Sequence, residues 1–301
     1  MNEDYNNLIY LNKKRIELKS SKEYFWGAKL LKYLKLLKKF RFIKITKELF
    51  HDIDAFFRKN VSNHKIIDFR LDSKKCFEKK VVVYTCIYGN YDDILEPLTI
   101  DSNCEYYIFT DQKIKEGSIW RIADDSLIPD YCDTPAKKNR YVKMFPYLFF
   151  PESEYSIYLD GNLQLVGHPS VMVQNSIDRC KTGIEMHLAP REHCIYDEAK
   201  NLYKVGKITK AESKYILQEY RKNNMPHGFG MCECNVIVRK HTNESCKQIM
   251  EMWWDMYSNG VKRDQLYFTY VLFRLGYSFD DVVNFGASVN QNLLFLRDSH
   301  K

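Results

Sequence analysis

The chain has 301 residues, 45% of them hydrophobic and 15% aromatic, with a formal net charge of +7. This length allows one large domain or two modest ones, and so apolar a composition excludes a wholly disordered chain. The nine cysteines are odd in number and include no Cys-x-x-Cys pair, which argues against a complete intramolecular disulfide framework and makes a reducing cytoplasm the expected setting.

The charge is uneven. Residues 1–80 carry 21 Lys and Arg against 10 Asp and Glu, and the remainder carries 25 against 29, so an anionic partner is expected for the N-terminal region. Residues 1–75 read as mainly helical, and Lys29 to Phe40 has an amphipathic period. Leu30, Tyr33, Leu34, Leu37 and Phe40 share one face, with Lys32, Lys35 and Lys39 opposite. Residues 29–40 therefore suit an anionic membrane surface, where apolar burial and attraction to headgroups act together. They suit equally a helix packed on the rest of the chain with a solvated lysine face. No nucleic acid is expected, because aromatic-basic interleaving and the known motifs are missing. The acidic start, Met1 to Asp4, lacks the layout of a signal peptide, and no apolar stretch approaches the length of a membrane span. A cytoplasmic protein, peripheral on the inner face of the membrane, is the expectation.

From residue 80 strands alternate with helices. The near-continuous apolar run Val81–Tyr88 suits a central strand buried on both faces, and Gly89-Asn90 ends it. Cys104–Asp111 gives a second strand that finishes on an acid. A helix is predicted over Ala136–Phe149, between Pro135 and Pro151. The apolar run Tyr155–Leu159 then leads into Asp160-Gly161-Asn162. One or two helices follow within Tyr196–Asn224, then a strand over Met231–Val238, a helix carrying Trp253, Trp254 and Tyr257, and another opened by Arg263-Asp264-Gln265. This order implies an α/β sheet whose strand ends form the ligand crevice, with a basic helical extension at 1–79 and the main domain at 80–301.

Asp160 and Asn162, two apart at a strand end, can converge on one hard cation, while Gly161 lets a ligand approach the backbone. Mn²⁺ and Mg²⁺ take such oxygen ligands and are often completed by substrate phosphates. Asp-Gly-Asn is also ordinary turn chemistry. His187 or His227 offers a neutral imidazole to the same ion, against a structural role for each. Such a metal with cationic side chains suits transfer from a nucleotide-activated donor, whose departing diphosphate they would stabilise. Thr85, Tyr88 and Asp111 then border the nucleotide: Tyr88 stacks on a base and Asp111 accepts from base or ribose, where otherwise they are core and cap. Lys137, Lys138, Arg140 and Lys143 form a basic helix group that meets phosphate charge or stays solvated. Glu233 and Asn235 share a strand face and suit sugar hydroxyls. Asp264 at a helix start is a cap by default; alternatively it binds the donor sugar or takes the acceptor proton. Cys232-x-Cys234 has the wrong spacing for a zinc half-site and reads as two inward-facing thiols.

The ordered set Tyr84-Thr-x-x-Tyr88-Gly89-x-Tyr91-Asp92, Phe109-Thr-Asp111, Lys137-x-x-Arg140-x-x-Lys143, Tyr158-Leu-Asp160-Gly-Asn162, His187-x-x-x-Arg191, Cys194-Ile-Tyr196-x-Glu198-Ala199, Glu233-x-Asn235-Val-Ile-Val-Arg239 and Asp264-Gln265 resembles the TOD1/MUCI70 glycosyltransferase-like domain family, also called DUF616, over residues 80–285. The resemblance implies a GT-A-like, Rossmann-like mixed sheet flanked by helices, and transfer of a sugar from a nucleotide-diphospho-sugar, UDP-linked, to a glycan or glycolipid hydroxyl. Bacterial surface polysaccharide synthesis is the implied setting. It further implies that Asp160 and Asn162 hold Mn²⁺ or Mg²⁺ on the donor diphosphate, that Asp264 faces the reacting sugar beside Glu233, and that Gln265 belongs to the donor site. Asn162 departs from the usual Asp-x-Asp and lowers the negative charge available to a cation. Two other readings remain open from the residues: a metal-dependent hydrolase of a phosphate ester or lipid using Asp160 and nearby histidines, and a noncatalytic membrane-associated adaptor.

Overall fold

A computed structural model describes residues 3–38, 49, 66–67, 80–176, 180–189, 194–283 and 285–300. The chain divides into two compact units, Met1–Ile67 and Asp68–Lys301, where the sequence suggests a boundary at 79/80.

In the first unit two helices, α1 (Glu3–Ser20) and α2 (Lys22–Leu37), meet at Ser21. The Ser21 hydroxyl accepts from the Tyr24 N–H at 3.1 Å and so starts α2. Leu30, Leu34 and Leu37 of the expected apolar face are 59%, 45% and 41% exposed, and Lys39 and Phe40 lie outside the described residues.

The second unit is built on a six-stranded sheet of β1 (Val81–Ile87), β2 (Cys104–Thr110), β3 (Arg121–Ile122), β4 (Tyr155–Leu159), β6 (Ile184–Leu188) and β7 (Cys232–Lys240), in the order β3-β2-β1-β4-β7-β6. Strands β1 to β4 run parallel and β7 antiparallel to both of its neighbours. All seven residues of β1 are buried, as a strand covered on both faces requires. Because β7 runs the other way, its N-terminal end comes to the edge where β1, β2 and β4 finish, and the Asp160 N–H donates to the Asn235 carbonyl at 2.8 Å.

The register of β7 against β6 jumps between Met186 and His187, from Met186↔Ile237 to His187↔Glu233. A bulge of this size re-aims side chains beside a site. A separate two-stranded sheet joins β5 (Leu163–Leu165) to β8 (Phe295–Arg297), with Leu163 opposite Arg297.

The helix predicted over Ala136–Phe149 is two pieces, α3 (Pro135–Met144) and the single turn α4 (Pro146–Phe149). Pro146 has no N–H to continue the ladder, so α3 ends at Met144 with Phe145 as its C-cap. Thr134 caps the start of α3, accepting from the Lys137 N–H, and Pro135 sits at its first position. The helices α5 (Ser170–Ser176), α6 (Ile195–Lys204), α7 (Lys210–Lys222), α8 (Glu244–Asn259) and α9 (Gln265–Arg274) complete the layers within this unit. Trp253, which is fully buried, anchors the core between α8 and α9.

Candidate active site

Four charged side chains meet at the strand-end edge. Lys143, on the buried side of α3, places Nζ 2.8 Å from Asp264 Oδ2 and 3.6 Å from Asp160 Oδ1. One turn earlier, Arg140 Nε lies 3.0 Å from the same Asp264 oxygen. The Tyr158 hydroxyl donates to Asp160 Oδ1 at 2.9 Å, and Asn139 bonds both Arg140 Nη1 and the Cys86 carbonyl. Asp160 is 30% exposed at its side chain and Asp264 9%, so the cluster opens outward on the Asp160 side.

Asp264 stands at the N-cap position of α9, but its side chain makes no capping hydrogen bond. Its φ and ψ are helical; the Trp253 indole N–H holds its carbonyl at 2.8 Å, and the carboxylate turns to the two cations. Burial would raise its pKa, but Arg140 and Lys143 outweigh that and hold it well below the usual carboxylate range. Burial would lower Arg140 in turn, and Asp264 reverses the effect. Burial, then Asp160, drives the Tyr158 phenol well above its ordinary value, so it stays a donor.

Glu233 takes a different set of partners. Its carboxylate accepts from the Val289 N–H at 2.7 Å and from the Ser288 hydroxyl, with Arg297 Nη1 at 3.7 Å. Burial raises its pKa, opposed by Val289, Arg297, Ser288 and the neighbouring Asn235 amide. The Asn235 Oδ1 is buried with no hydrogen-bond partner.

Several expected nucleotide contacts are already used within the fold. Tyr88 is buried, its hydroxyl donates to Asp125 Oδ2 at 2.7 Å, and Lys138 Nζ lies 5.3 Å from its ring centroid; it is not free to stack on a base. Asp111 accepts from the Gly89 N–H through both oxygens, fixing the left-handed Gly89-Asn90 turn. Thr85 is buried inside β1 with a partnerless hydroxyl. Lys137 turns back to Asp133 at 2.8 Å and to the Tyr131 carbonyl. Gln265 donates to the Cys232 carbonyl at 3.0 Å and ties α9 to β7. Of the predicted basic group, only Arg140 and Lys143 reach the acids.

The expected metal set is not assembled. His187 is fully buried with its ring against Phe285, Asn292 Nδ2 lies 3.0 Å from its Nε2, and burial pushes its pKa down to about 3. His227 stacks on Tyr196 at 3.9 Å with its Nδ1 3.9 Å from Cys194 Sγ. Asn162, 4% exposed, donates its amide to the Asp298 carbonyl at 2.9 Å. Among the described residues no three His, Cys, Asp or Glu side chains come together to hold a metal ion. With Asp160 Oδ1 facing Tyr158 and Lys143, these donors do not fit a divalent cation. Arg191 and His193 lie outside the described residues.

Gly161 is also explained by the chain itself. A Cβ there would meet Ile87 Cγ1 at 2.8 Å and Asp92 Oδ2 at 3.2 Å, so the space expected for a ligand holds side chains. Asp92 is buried and paired with His300, whose Nδ1 is 3.0 Å from both carboxylate oxygens. With the Asn162 contact to Asp298, residues 295–300 form a strap beside the Asp160-Gly161-Asn162 turn. Asn139 and His300 carry no expectation from the sequence, and Asp92 and Tyr158 enter there only as motif positions without a role. Asn139 and Tyr158 carried a signal, because the first is four residues before Lys143 on a helix and the second two before Asp160 on a strand.

A family model described as TOD1/MUCI70, glycosyltransferase-like domain, matches residues 17–300. The "Probable hexosyltransferase MUCI70" of Arabidopsis thaliana is 23% identical over 226 residues, covering 67% of this chain but 38% of that protein, so the chain spans well under half of this relative's length. Similar solved structures include the WbbM bifunctional glycosyltransferase in its apo form, with a TM-score of 0.43 and 9% identity over 79% of this chain and 46% of that one. Mouse xyloside xylosyltransferase 1 has a TM-score of 0.41 and 10% identity over 68% and 84%. The galactosyltransferase LgtC, in complex with donor and acceptor sugar analogs, has a TM-score of 0.37 and 12% identity over 64% and 70%.

Proposed function

The chain belongs to the TOD1/MUCI70 glycosyltransferase-like domain family, and from that membership we propose that it transfers a hexosyl group from a UDP-linked sugar to a hydroxyl of a glycan or glycolipid. The observation that carries this reading is the convergence of Asp160 and Asp264 with Arg140 and Lys143 at the end of a largely parallel sheet. Ligands of open α/β sheets bind at that edge, and cations there stabilise a departing diphosphate.

In the transfer, the bond between the anomeric carbon and the diphosphate oxygen breaks, and the bond to the acceptor oxygen forms. The leaving oxygen keeps the electron pair beside Arg140 and Lys143, and the acceptor proton goes to a carboxylate. Asp264, held ionised and weakly basic, serves charge and position at the sugar. Glu233, raised by burial, is the better proton acceptor of the two.

The test is nucleoside diphosphate release from a panel of nucleotide-sugars, with a mixture of glycan and lipid-linked acceptors. Release from one donor, falling more than about a hundredfold in Asp160→Asn and in Asp264→Asn with folding retained, is expected. Full activity in both variants removes the mechanism, and product formation without any nucleotide-sugar favours the hydrolase reading.

The partner of α2 is an anionic membrane surface that carries the acceptor, in the assembly of a surface polysaccharide. The exposed Leu30, Leu34 and Leu37 beside Lys32, Lys35 and Lys38 support it through the match of apolar area and charge. No helix of the described residues is long and apolar enough to cross a membrane. Binding to vesicles containing phosphatidylglycerol, but not to neutral ones, is expected, and Leu30→Ser with Leu34→Ser abolishes it; unchanged binding by that variant overturns the assignment.

A further inference from the structure

The two acids of the site share a cation that belongs to the chain. Lys143 Nζ sits 2.8 Å from Asp264 and 3.6 Å from Asp160, and its side chain is 1% exposed. The Tyr158 ring centroid is 5.0 Å from Nζ and the Trp253 ring 5.8 Å, so two electron-rich faces hold the ammonium where it is.

A divalent ion bound by Asp160 would lie about 2.0–2.6 Å from a carboxylate oxygen. An ion on Oδ1 would stand beside Lys143 Nζ, itself 3.6 Å from the same oxygen, and the two positive charges would repel. Arg140 adds a second cation on Asp264, so two carboxylates are balanced by two positive groups before any ion arrives. Asn162 adds no negative charge and commits its amide to Asp298.

Resting on the transferase reading above, we propose that Lys143 is the resident counter-cation of this site. It stands where a divalent metal would otherwise join Asp160 to the donor diphosphate, and donor phosphates are held by Lys143 and Arg140 without a metal.

The test is a Mn²⁺ titration of the full chain followed by electron paramagnetic resonance, with no donor present. Four forms are compared: the native protein, Asp160→Asn, Lys143→Met, and Lys143→Met combined with Asp160→Asn. The native protein is expected to leave Mn²⁺ free. Lys143→Met is expected to bind it more than about tenfold tighter, since the repelling charge is gone, and the double variant to lose that gain.

A native protein that binds one Mn²⁺, with the site lost in Asp160→Asn alone, overturns the proposal. So does the lack of a site in both the native protein and Lys143→Met, because Lys143 is then not what excludes the ion. If Lys143→Met does not fold by circular dichroism, calorimetry of UDP binding to the native protein decides. Affinity unchanged within about twofold between Mn²⁺ and chelator is expected, and a fall beyond about tenfold in chelator overturns it. Should no nucleotide bind under any condition, the transferase reading fails, and the native titration set against Asp160→Asn still decides the metal question.

Discussion

Lys143 Nζ and Asp264 Oδ2 meet at 2.8 Å although 121 residues separate them in the chain. One sits on α3 and the other heads α9, so the contact joins two helices as well as setting the charge of the site. Asp264→Asn removes the negative charge that Lys143 and Arg140 share and leaves two cations in a largely buried place with only Asp160 to balance them. Breaking a buried pair by removing one partner costs about 3–5 kcal/mol. A loss of stability of that order in urea unfolding is expected, and a loss under about 0.5 kcal/mol would mean that the pair is well solvated.

Acid should weaken the fold well above the carboxylate range. Burial pushes His187 down to about 3, and burial with Arg239 pushes His241 down to about 4, both from an ordinary 6.5. Both histidines therefore stay neutral in the fold while the unfolded chain takes up protons below pH 6.5. Stability is then full above that pH and falls through the window down to about 4, by about 1.4 kcal/mol per pH unit for each histidine. Asp264 does not contribute there, since its lowered pKa affects stability only below its ordinary 3.8. Denaturation curves between pH 6 and 4 should show a combined slope of about 2.7 kcal/mol per unit, reduced by about half in His241→Asn. A flat profile would show that these imidazoles are reached by water.

Gly161→Ala places a methyl group 2.8 Å from Ile87 Cγ1 and 2.9 Å from Cδ1. Overpacking of this kind costs about 1–3 kcal/mol. The double variant Gly161→Ala with Ile87→Ala should lose less than the sum of the two single changes, measured as a thermodynamic cycle in urea. Simple additivity would place the strain elsewhere.

Tyr158→Phe deletes the hydroxyl that bonds Asp160 Oδ1 at 2.9 Å and leaves the ring over Lys143. One hydrogen bond to a charged group is worth about 1.5–3 kcal/mol. A fall of about 10- to 100-fold in kcat/KM with nucleotide-sugar is expected, together with a melting temperature lower by roughly 3–10 °C. Unaltered kinetics would remove Tyr158 from the list of groups that orient Asp160.

Strand and helix content was legible wherever the pattern was local. The near-continuous apolar run of β1, broken only by Thr85, the apolar run ending at Asp160 and the Pro135 start of α3 all identify their elements unaided. The basic group on α3 was visible too, but its division was not. Lys137 answers to Asp133 four residues earlier, and Lys143 answers to Asp264 across 121; only tertiary packing separates the two. Tyr88 illustrates a second limit, because an aromatic at a strand end reads the same whether its hydroxyl binds Asp125 or its ring meets a base. The register jump at His187 has no local signature, so the partners of Glu233 on the 288–289 turn could not be foreseen. Gly161 was expected to admit a ligand, but Ile87 and Asp92 occupy the missing side chain's place, a contact with no local signature.

The strap of residues 295–300 has a consequence for the order in which the molecule is made. Asn162 and its Asp298 partner are 136 residues apart, and Asp92 and His300 are 208 apart. A ribosome adding about 5–20 residues per second completes the strap on the order of ten seconds after β5 has emerged. During that interval β5 is an unpaired edge beside an uncovered Asp92, and bare strand edges recruit other chains. The nascent protein is therefore most exposed to misassembly just before its synthesis passes residue 300, and a chaperone that shields β5 over that interval would raise the yield of folded protein.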